Sequence, residues 1–153
     1  MTVNLNQVES LTLQGQIAVP YTWWVGRVGS RFLIALRDEA KIIGNRCNRC
    51  NTVYVPPRGN CGSCFEDIDQ FVEVSNEGVV SAYTVVRFKY PLQPVDTPFA
   101  YALIHLDGAD VSLAHIIKAD LDKLKNGVRV RALFKERSER TGHILDIDSF
   151  QII

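Results

Sequence analysis

The residues best suited to chemistry are Cys47, Cys50, Cys61 and Cys64, two Cys-x-x-Cys pairs with ten residues between them that hold every cysteine of the chain. Two cysteines three apart in a tight turn can aim both sulfurs at one point. A second such turn closes a tetrahedron around a cation such as zinc. Gly62 allows the second turn to be tight, and Asn48, Asn51 and Asn60 tolerate turn conformations that most residues avoid. Between the pairs, Thr52-Val-Tyr-Val-Pro-Pro-Arg-Gly59 has a β-branched and aromatic run followed by a Pro-Pro stop, as expected of a β-ribbon with one knuckle at each end. With all four sulfurs on the metal no coordination position stays open, so the metal is structural and contributes on the order of 10 kcal/mol to the local fold. Two disulfides are the alternative for a secreted chain, but Met1 to Ser10 lacks the basic start, apolar run and cleavage site of a leader. A cytosolic chain keeps such thiols reduced, which favours metal. Iron is the alternative cation, because paired Cys-x-x-Cys also holds a single iron or a cluster.

Composition narrows the partners. The 153 residues carry 17 Lys plus Arg against 17 Asp plus Glu. Zero net charge argues against a general polyanion binder, whose affinity rests on neutralising phosphates with a basic surface. No apolar stretch of about 18 residues is present, so no membrane span is expected. There is no repeat, no low-complexity tract and no phosphate-cradling glycine loop. A soluble, cytoplasmic protein is the expectation.

The elements that must carry the cysteines follow in order. Residues 1–24 read as an arm, polar through Asn4, Asn6, Gln7, Glu9, Ser10, Gln14 and Gln16, apolar at Ile17-Ala-Val-Pro20, then aromatic at Tyr21, Trp23 and Trp24. Both tryptophans of the chain fall here, either to pack on another molecule or to fold back on their own chain. From Gly29 to Ala40 the pattern is helical: Ser30 can cap the start, and Phe32, Leu33, Leu36 and Ala40 form one apolar stripe. Arg27, Arg31, Arg37 and Lys41 lie around that stripe, as a solvated face or as contacts to an anionic ligand or partner. Lys41 to Arg46 leads as a strand into the first knuckle. Beyond Cys64, strands are expected over 68–74, 79–90, 99–106, 111–117, 128–134 and 144–153. Turns fall at Ser75 to Gly78, Asp107-Gly108 and Thr141-Gly142, a proline-broken loop at Pro91, Pro94 and Pro98, and a helical turn at 120–124. The long strand alternates, with Val79, Ser81, Tyr83, Val85 and Arg87 on one face and Val80, Ala82, Thr84, Val86 and Phe88 on the other. These strands suit a small Greek-key barrel of the OB type. The fold class is therefore mainly β, with an N-terminal arm and helix over 1–40, a zinc ribbon over 41–67 and a five-stranded OB-fold barrel over 68–153.

At this point the chain resembles the rubredoxin-like zinc-ribbon and OB-fold proteins associated with acyl-CoA enzymes, long catalogued as a domain of unknown function. The matching stretches are Gly44-Asn-Arg-Cys-Asn-Arg-Cys50, Pro56-Pro57-Arg58, Cys61-Gly-Ser-Cys64 and Gly78-Val-Val-Ser-Ala-Tyr-Thr-Val-Val86. Pro98-Phe-Ala-Tyr-Ala-Leu-Ile-His-Leu-Asp107 and Gly127-Val-Arg-Val130 complete an ordered set that covers nearly the whole chain from about residue 21. The resemblance implies an accessory, non-catalytic subunit beside a thiolase-like condensing enzyme, or sometimes a hydratase, that helps hold or pass acyl-CoA. The residues agree on separate grounds. A thiolase needs a free cysteine and a histidine base, and here all four cysteines are assigned to metal. His105, His115 and His143 fall in expected strands or turns without an adjacent nucleophile, so they read as structural.

A CoA thioester would need cations for its phosphates and an apolar slot for its acyl part. Arg58, stiffened by the two preceding prolines, is the first candidate cation; Arg27, Arg31 and Arg46 follow, then Arg87 and Lys89. The barrel face and the Tyr90 to Pro98 loop are candidates to line an acyl channel together with a partner. The rival reading is a single-stranded nucleic-acid module, with Tyr83, Phe88 and Tyr90 as stacking groups, which the neutral charge disfavours.

Overall fold

The structure, a computed structural model, describes residues 4, 6, 8–15 and 19–153. Gln7, Gln16, Ile17 and Ala18, placed on the arm above, lie outside the described residues. Among the described residues the arm carries no helix or strand beyond isolated turns, and Tyr21, Trp23 and Trp24 are solvent-exposed.

Helix α1 spans Gly26–Ile34 and continues as a π-helical turn over Ala35–Glu39. It begins three residues earlier than the sequence suggests. Ser30 lies inside it and caps nothing; Gly26, at φ +76°, turns the chain from the arm into the helix. Phe32, Ala35 and Leu36 are buried, and Leu33 packs against them. Ala40 closes the element in the left-handed region at φ +51°, its N–H donating five residues back to the Ala35 carbonyl, which explains the wide last turn.

Strand β1 (Ile42–Arg46) pairs antiparallel with β2 (Val53–Tyr54) on one side and β3 (Gln70–Val74) on the other. Gly44 is required at the centre of this sheet, since a Cβ there would lie 2.6 Å from the Tyr54 carbonyl oxygen. Because β3 pairs in the ribbon sheet, the Ser75 to Gly78 stretch is a passage between two sheets and not a hairpin turn. It leads into a closed barrel of β4 (Glu77–Val86), β5 (Phe99–Leu106), β6 (Leu113–Ile117), β7 (Arg129–Phe134) and β8 (Ile147–Ile152), ordered β4-β5-β6-β8-β7. This is the five-stranded barrel the sequence suggested. The barrel closes between β6 and β8 through one parallel pair, Ile117 with Phe150. Among the described residues no helix is long and apolar enough to cross a membrane.

Three local expectations are corrected. Strand β4 ends at Val86, short of Tyr90, and a bulge between Val80 and Ala82 breaks its alternation. Gly78 and Val80 face the barrel interior, but after the bulge Tyr83 and Val85 oppose the interior residues Ala102 and Ala100, so the inner face changes parity. Residues 120–124 form two successive turns and no helix. Residues 144–146 form a 3₁₀ turn ahead of β8, because the buried Asp146 carboxylate accepts the backbone N–H groups of Thr141, Gly142 and His143.

Of the three histidines, His115 and His143 line one cavity and His105 does not. His105 is exposed on β5, and His143 accepts the Leu145 N–H at 3.1 Å. His115 is buried inside the barrel, with its Nε2 3.2 Å from the Ile144 carbonyl and its ring edge-on to Phe150 at 5.6 Å. Burial pushes its pKa below the ordinary value of 6.5, against the opposing pull of the Ile144 carbonyl. The folded state thus holds His115 neutral while the unfolded chain takes up a proton, so stability is full above pH about 6.5 and falls as pH drops toward the depressed folded value. His115→Phe is expected to flatten the dependence of stability on pH below about 6.5, measured by denaturant melts at successively lower pH. An unchanged slope in the variant would refute this assignment.

Candidate metal centre

The two knuckles are built alike. In the first, Cys47 N–H donates to the Thr52 carbonyl at 2.9 Å and Asn51 N–H returns to the Cys47 carbonyl at 2.8 Å. In the second, Cys61 N–H donates to Glu66 at 2.9 Å and Phe65 N–H to Cys61 at 3.1 Å. Each turn places the residue after its second cysteine in the left-handed region, Asn51 at φ +58° and Phe65 at φ +62°. Asn51 suits that position, as the sequence reading expected. Phe65 does not, and its ring is left exposed. Gly62 has no positive φ; its missing Cβ matters for neighbours, since that position would lie 3.5 Å from Arg58 Nη1 and 3.6 Å from Tyr54 Oη.

The four sulfurs lie within 4.8 Å of one another, with Cys47 and Cys64 at 3.6 Å. That is far beyond a disulfide bond of about 2.05 Å. It matches the edge of a tetrahedron whose metal–sulfur bonds are about 2.3 Å, roughly 3.8 Å. The donor set therefore fits one tetrahedral cation with no vacant position, and the residues that would hold it are the four cysteines expected from spacing. Electrostatics agree. Without a cation between them these thiols cannot all ionise: Cys61 is lowered to about 5, first by the Tyr54 hydroxyl, then by the Cys64 and Ser63 backbone, while Cys50 is raised to about 12 by its neighbour Cys64 and by burial. A divalent cation removes that conflict.

Around the sulfurs lies a layer that spacing alone did not reveal. Cys50 N–H points at Cys47 Sγ at 3.3 Å and Ser63 N–H at Cys61 Sγ at 3.5 Å. Tyr54 is buried in the ribbon with its Oη 3.3 Å from Cys61 Sγ. Asn45, fully buried on β1, ties the ribbon together by accepting the Arg58 N–H at 3.0 Å and donating to the carbonyls of Arg58 at 2.6 Å and Ile68 at 3.3 Å. Its place immediately before Arg46 and Cys47 was visible, but nothing in a sequence marks an asparagine as a buried clamp.

The four leading candidate cations fall on two elements. Arg27 and Arg31 are exposed on α1, Arg31 pairing with Glu39 at 3.1 Å. Arg46 and Arg58 belong to the ribbon: Arg46 donates to Asn51 Oδ1 at 3.0 Å, and Arg58 stacks over the Tyr54 ring at 5.1 Å. Lys89 pairs with Asp96 in the proline-rich loop. That loop does cover a barrel face. Val95, Phe99, Tyr101, Ile116 and Leu145 line an apolar cavity of about 350 Å³, which shares Pro94, Val95 and Leu145 with a more polar one of about 680 Å³ reaching Lys118 and Lys135.

Comparison with known proteins matches residues 35–69 to the ChsH2 rubredoxin-like zinc ribbon domain and residues 71–135 to the ChsH2 C-terminal OB-fold domain. Among curated relatives, a DUF35 domain-containing scaffold protein of Methanocaldococcus jannaschii is 27% identical over 105 residues, covering 68% of this chain and 74% of that one. A second scaffold protein of the same description, from Pyrococcus furiosus, is 26% identical over 111 residues, covering 72% and 80%. Among solved structures, a DUF35-family protein of unknown function from Sulfolobus solfataricus superposes with TM-score 0.61 at 25% identity, covering 83% of this chain and 84% of that one. A chain of the Ltp2-ChsH2(DUF35) aldolase superposes with TM-score 0.60 at 25% identity, covering 76% and 90%. Ribbon and barrel thus match consecutive domain models that together span most of residues 35–135, and the chain belongs to the family in which a ChsH2-type rubredoxin-like zinc ribbon precedes a ChsH2-type OB-fold domain.

Proposed function

We propose that this chain is a non-catalytic scaffold subunit whose partner is a thiolase-type enzyme acting on a β-ketoacyl-CoA. The observation that carries the reading is the run of apolar side chains held out from the folded body: Val19, Tyr21, Trp23 and Trp24 on the arm, all more than two-thirds exposed. Exposed tryptophans in such density mark a protein interface. The relatives described as scaffold proteins, and the aldolase in which a related chain is found, support assembly with an enzyme that works on carbon–carbon bonds. The chain's own chemistry agrees, because its cysteines converge on a closed tetrahedral site and its one buried histidine is neutral and tied to the barrel wall. The metal gives the ribbon rigidity; Cys47, Cys50, Cys61 and Cys64 hold it. For the thioester, the apolar cavity beneath the proline-rich loop offers a lining for an acyl group, the adjoining polar cavity carries Lys118 and Lys135 beside Asp96 and Asp148, and Arg27, Arg31, Arg46 and Arg58 stand as cations for phosphates elsewhere on the surface.

Affinity purification from the native host tests this. A stoichiometric thiolase-type chain that condenses or cleaves acyl-CoA only in the complex is the expected result, with one zinc per copy of this protein. Turnover by the pure chain would overturn it, as would salt-sensitive binding of single-stranded oligonucleotide at low micromolar protein. Ion pairing argues against the latter outcome, since Arg37, Lys41, Arg49, Arg129 and Arg131 all face carboxylates. Replacing both Trp23 and Trp24 by alanine is expected to weaken the complex by roughly 30-fold per residue, the scale of an interface hot spot of about 2 kcal/mol. Affinity unchanged by that double substitution would remove the arm from the interface.

A further inference from the structure

Tyr54 and Arg58 stand against the Cys61 corner of the metal centre in an arrangement that the cysteine spacing does not explain. The Tyr54 hydroxyl accepts the Gly62 N–H at 3.1 Å, which occupies a lone pair of its oxygen and leaves its own proton to be directed elsewhere. Cys61 Sγ lies 3.3 Å away. The ring that carries this hydroxyl is buried and is held from outside by the Arg58 guanidinium, 5.1 Å from its centre. Arg58 is in turn fixed through its main chain by the buried Asn45, which both donates to and accepts from it. A chain of fixed groups therefore runs from the ribbon core to one sulfur.

A tetrathiolate site with a divalent cation carries two net negative charges, concentrated on sulfur, and each donor aimed at a sulfur drains charge from it and lowers its nucleophilicity. Cys61 has the phenolic oxygen 3.3 Å from its sulfur besides the Ser63 backbone N–H at 3.5 Å, whereas Cys47 receives the Cys50 N–H at 3.3 Å. We propose that Tyr54, positioned by Arg58, donates a hydrogen bond to the Cys61 thiolate and makes it the protected sulfur of the centre, slowing both its attack by electrophiles and the release of zinc. Neither residue touches the metal. Both act through Cys61 as positioning residues.

The test uses the full-length zinc-loaded protein, with iodoacetamide as electrophile and the alkylated cysteine identified by mass spectrometry, alongside zinc transfer to the chelator 4-(2-pyridylazo)resorcinol. In Tyr54→Phe the ring and its stacking on Arg58 remain, and the hydroxyl is lost both as donor to Cys61 and as acceptor of the Gly62 N–H. Alkylation at Cys61 is expected to rise about 10-fold, with Cys47, Cys50 and Cys64 changing less than about twofold, and zinc transfer to quicken by about 10-fold. Arg58→Gln is expected to raise the Cys61 rate about threefold, and Arg58→Lys to restore most of the protection. A purely structural role would loosen the whole ribbon and raise all four rates together. That uniform rise, or unchanged Cys61 reactivity in Tyr54→Phe, would overturn the proposal.

Discussion

Removal of the metal is expected to melt the outer ribbon while the barrel stays folded. From Arg46 to Ile68 the segment has only Cys47, Tyr54, Cys61 and Ile68 as its own buried cluster, and two of these are thiols. So small a core cannot offset the conformational entropy of about 20 ordered residues, at 1–2 kcal/mol each. A structural zinc contributes on the order of 10 kcal/mol, which makes it the main term there. Chelation with EDTA after mild acidification, or Cys47→Ser, is therefore expected to abolish amide-exchange protection at Cys47, Asn51, Cys61 and Phe65, whose N–H groups close the knuckles. The amides of β4–β8 should retain slow exchange, because β4, β5, β7 and β8 are held by continuous ladders that do not include the ribbon. Protection that survives at the knuckles after complete metal removal would mean that the ribbon folds on other grounds. The direction with pH follows from ligand protonation: sulfurs must be ionised to bind, so acid releases the metal.

The second large effect is expected at Phe150. Its side chain is completely buried, pairs with Ala132 across the β7–β8 ladder and meets His115 edge-on. It also stands, among the described residues, at the single strand pair between β6 and β8, where the Lys118 N–H donates to the Phe150 carbonyl at 3.1 Å. Truncation to alanine removes a ring from the centre of the barrel at the point where strand hydrogen bonding is thinnest. A loss of about 4 kcal/mol is expected, seen as a fall in Tm of roughly 10 °C. Zinc content should remain unchanged, which separates this failure from that of the ribbon. A loss below about 1 kcal/mol would show that the β6–β8 side is not a closed part of the core.

Much of this was legible because the relevant signals are local. Two Cys-x-x-Cys pairs encode their convergence in spacing, and the structure brings all four sulfurs together. Strand β5 alternates cleanly, with Ala100, Ala102, Ile104 and Leu106 inside and Tyr101, Leu103 and His105 outside, so its bounds could be read directly. Strand β4 could not be read that way. Beyond Glu77 its residues on both faces are apolar, aromatic or small, and a one-residue bulge there inverts the faces without leaving a mark in hydropathy. The partner of β3 was likewise hidden, because strand pairing is a long-range choice and Gln70–Val74 would suit either sheet by composition. At the metal centre the ligands were legible and the groups that orient them were not. Tyr54 read as one more strand aromatic, and its role depends on a contact across the second knuckle. Arg58 was noticed for its prolines, yet its position is decided by Asn45, thirteen residues upstream.

Ribbon and barrel match separate domain models, yet they do not own separate interiors. Phe32 and Leu36 from the helix, Ile42, Val53, Val55 and Val74 from the ribbon sheet, and Val80, Ile104 and Phe150 from the barrel belong to one continuous apolar cluster. The two modules therefore cannot be exchanged like beads on a string. A ribbon grafted onto a foreign barrel would arrive with an open apolar flank, and a barrel stripped of its ribbon would expose the matching one. Lineages carrying this protein must inherit and alter the two together, with compensating changes falling along that shared seam.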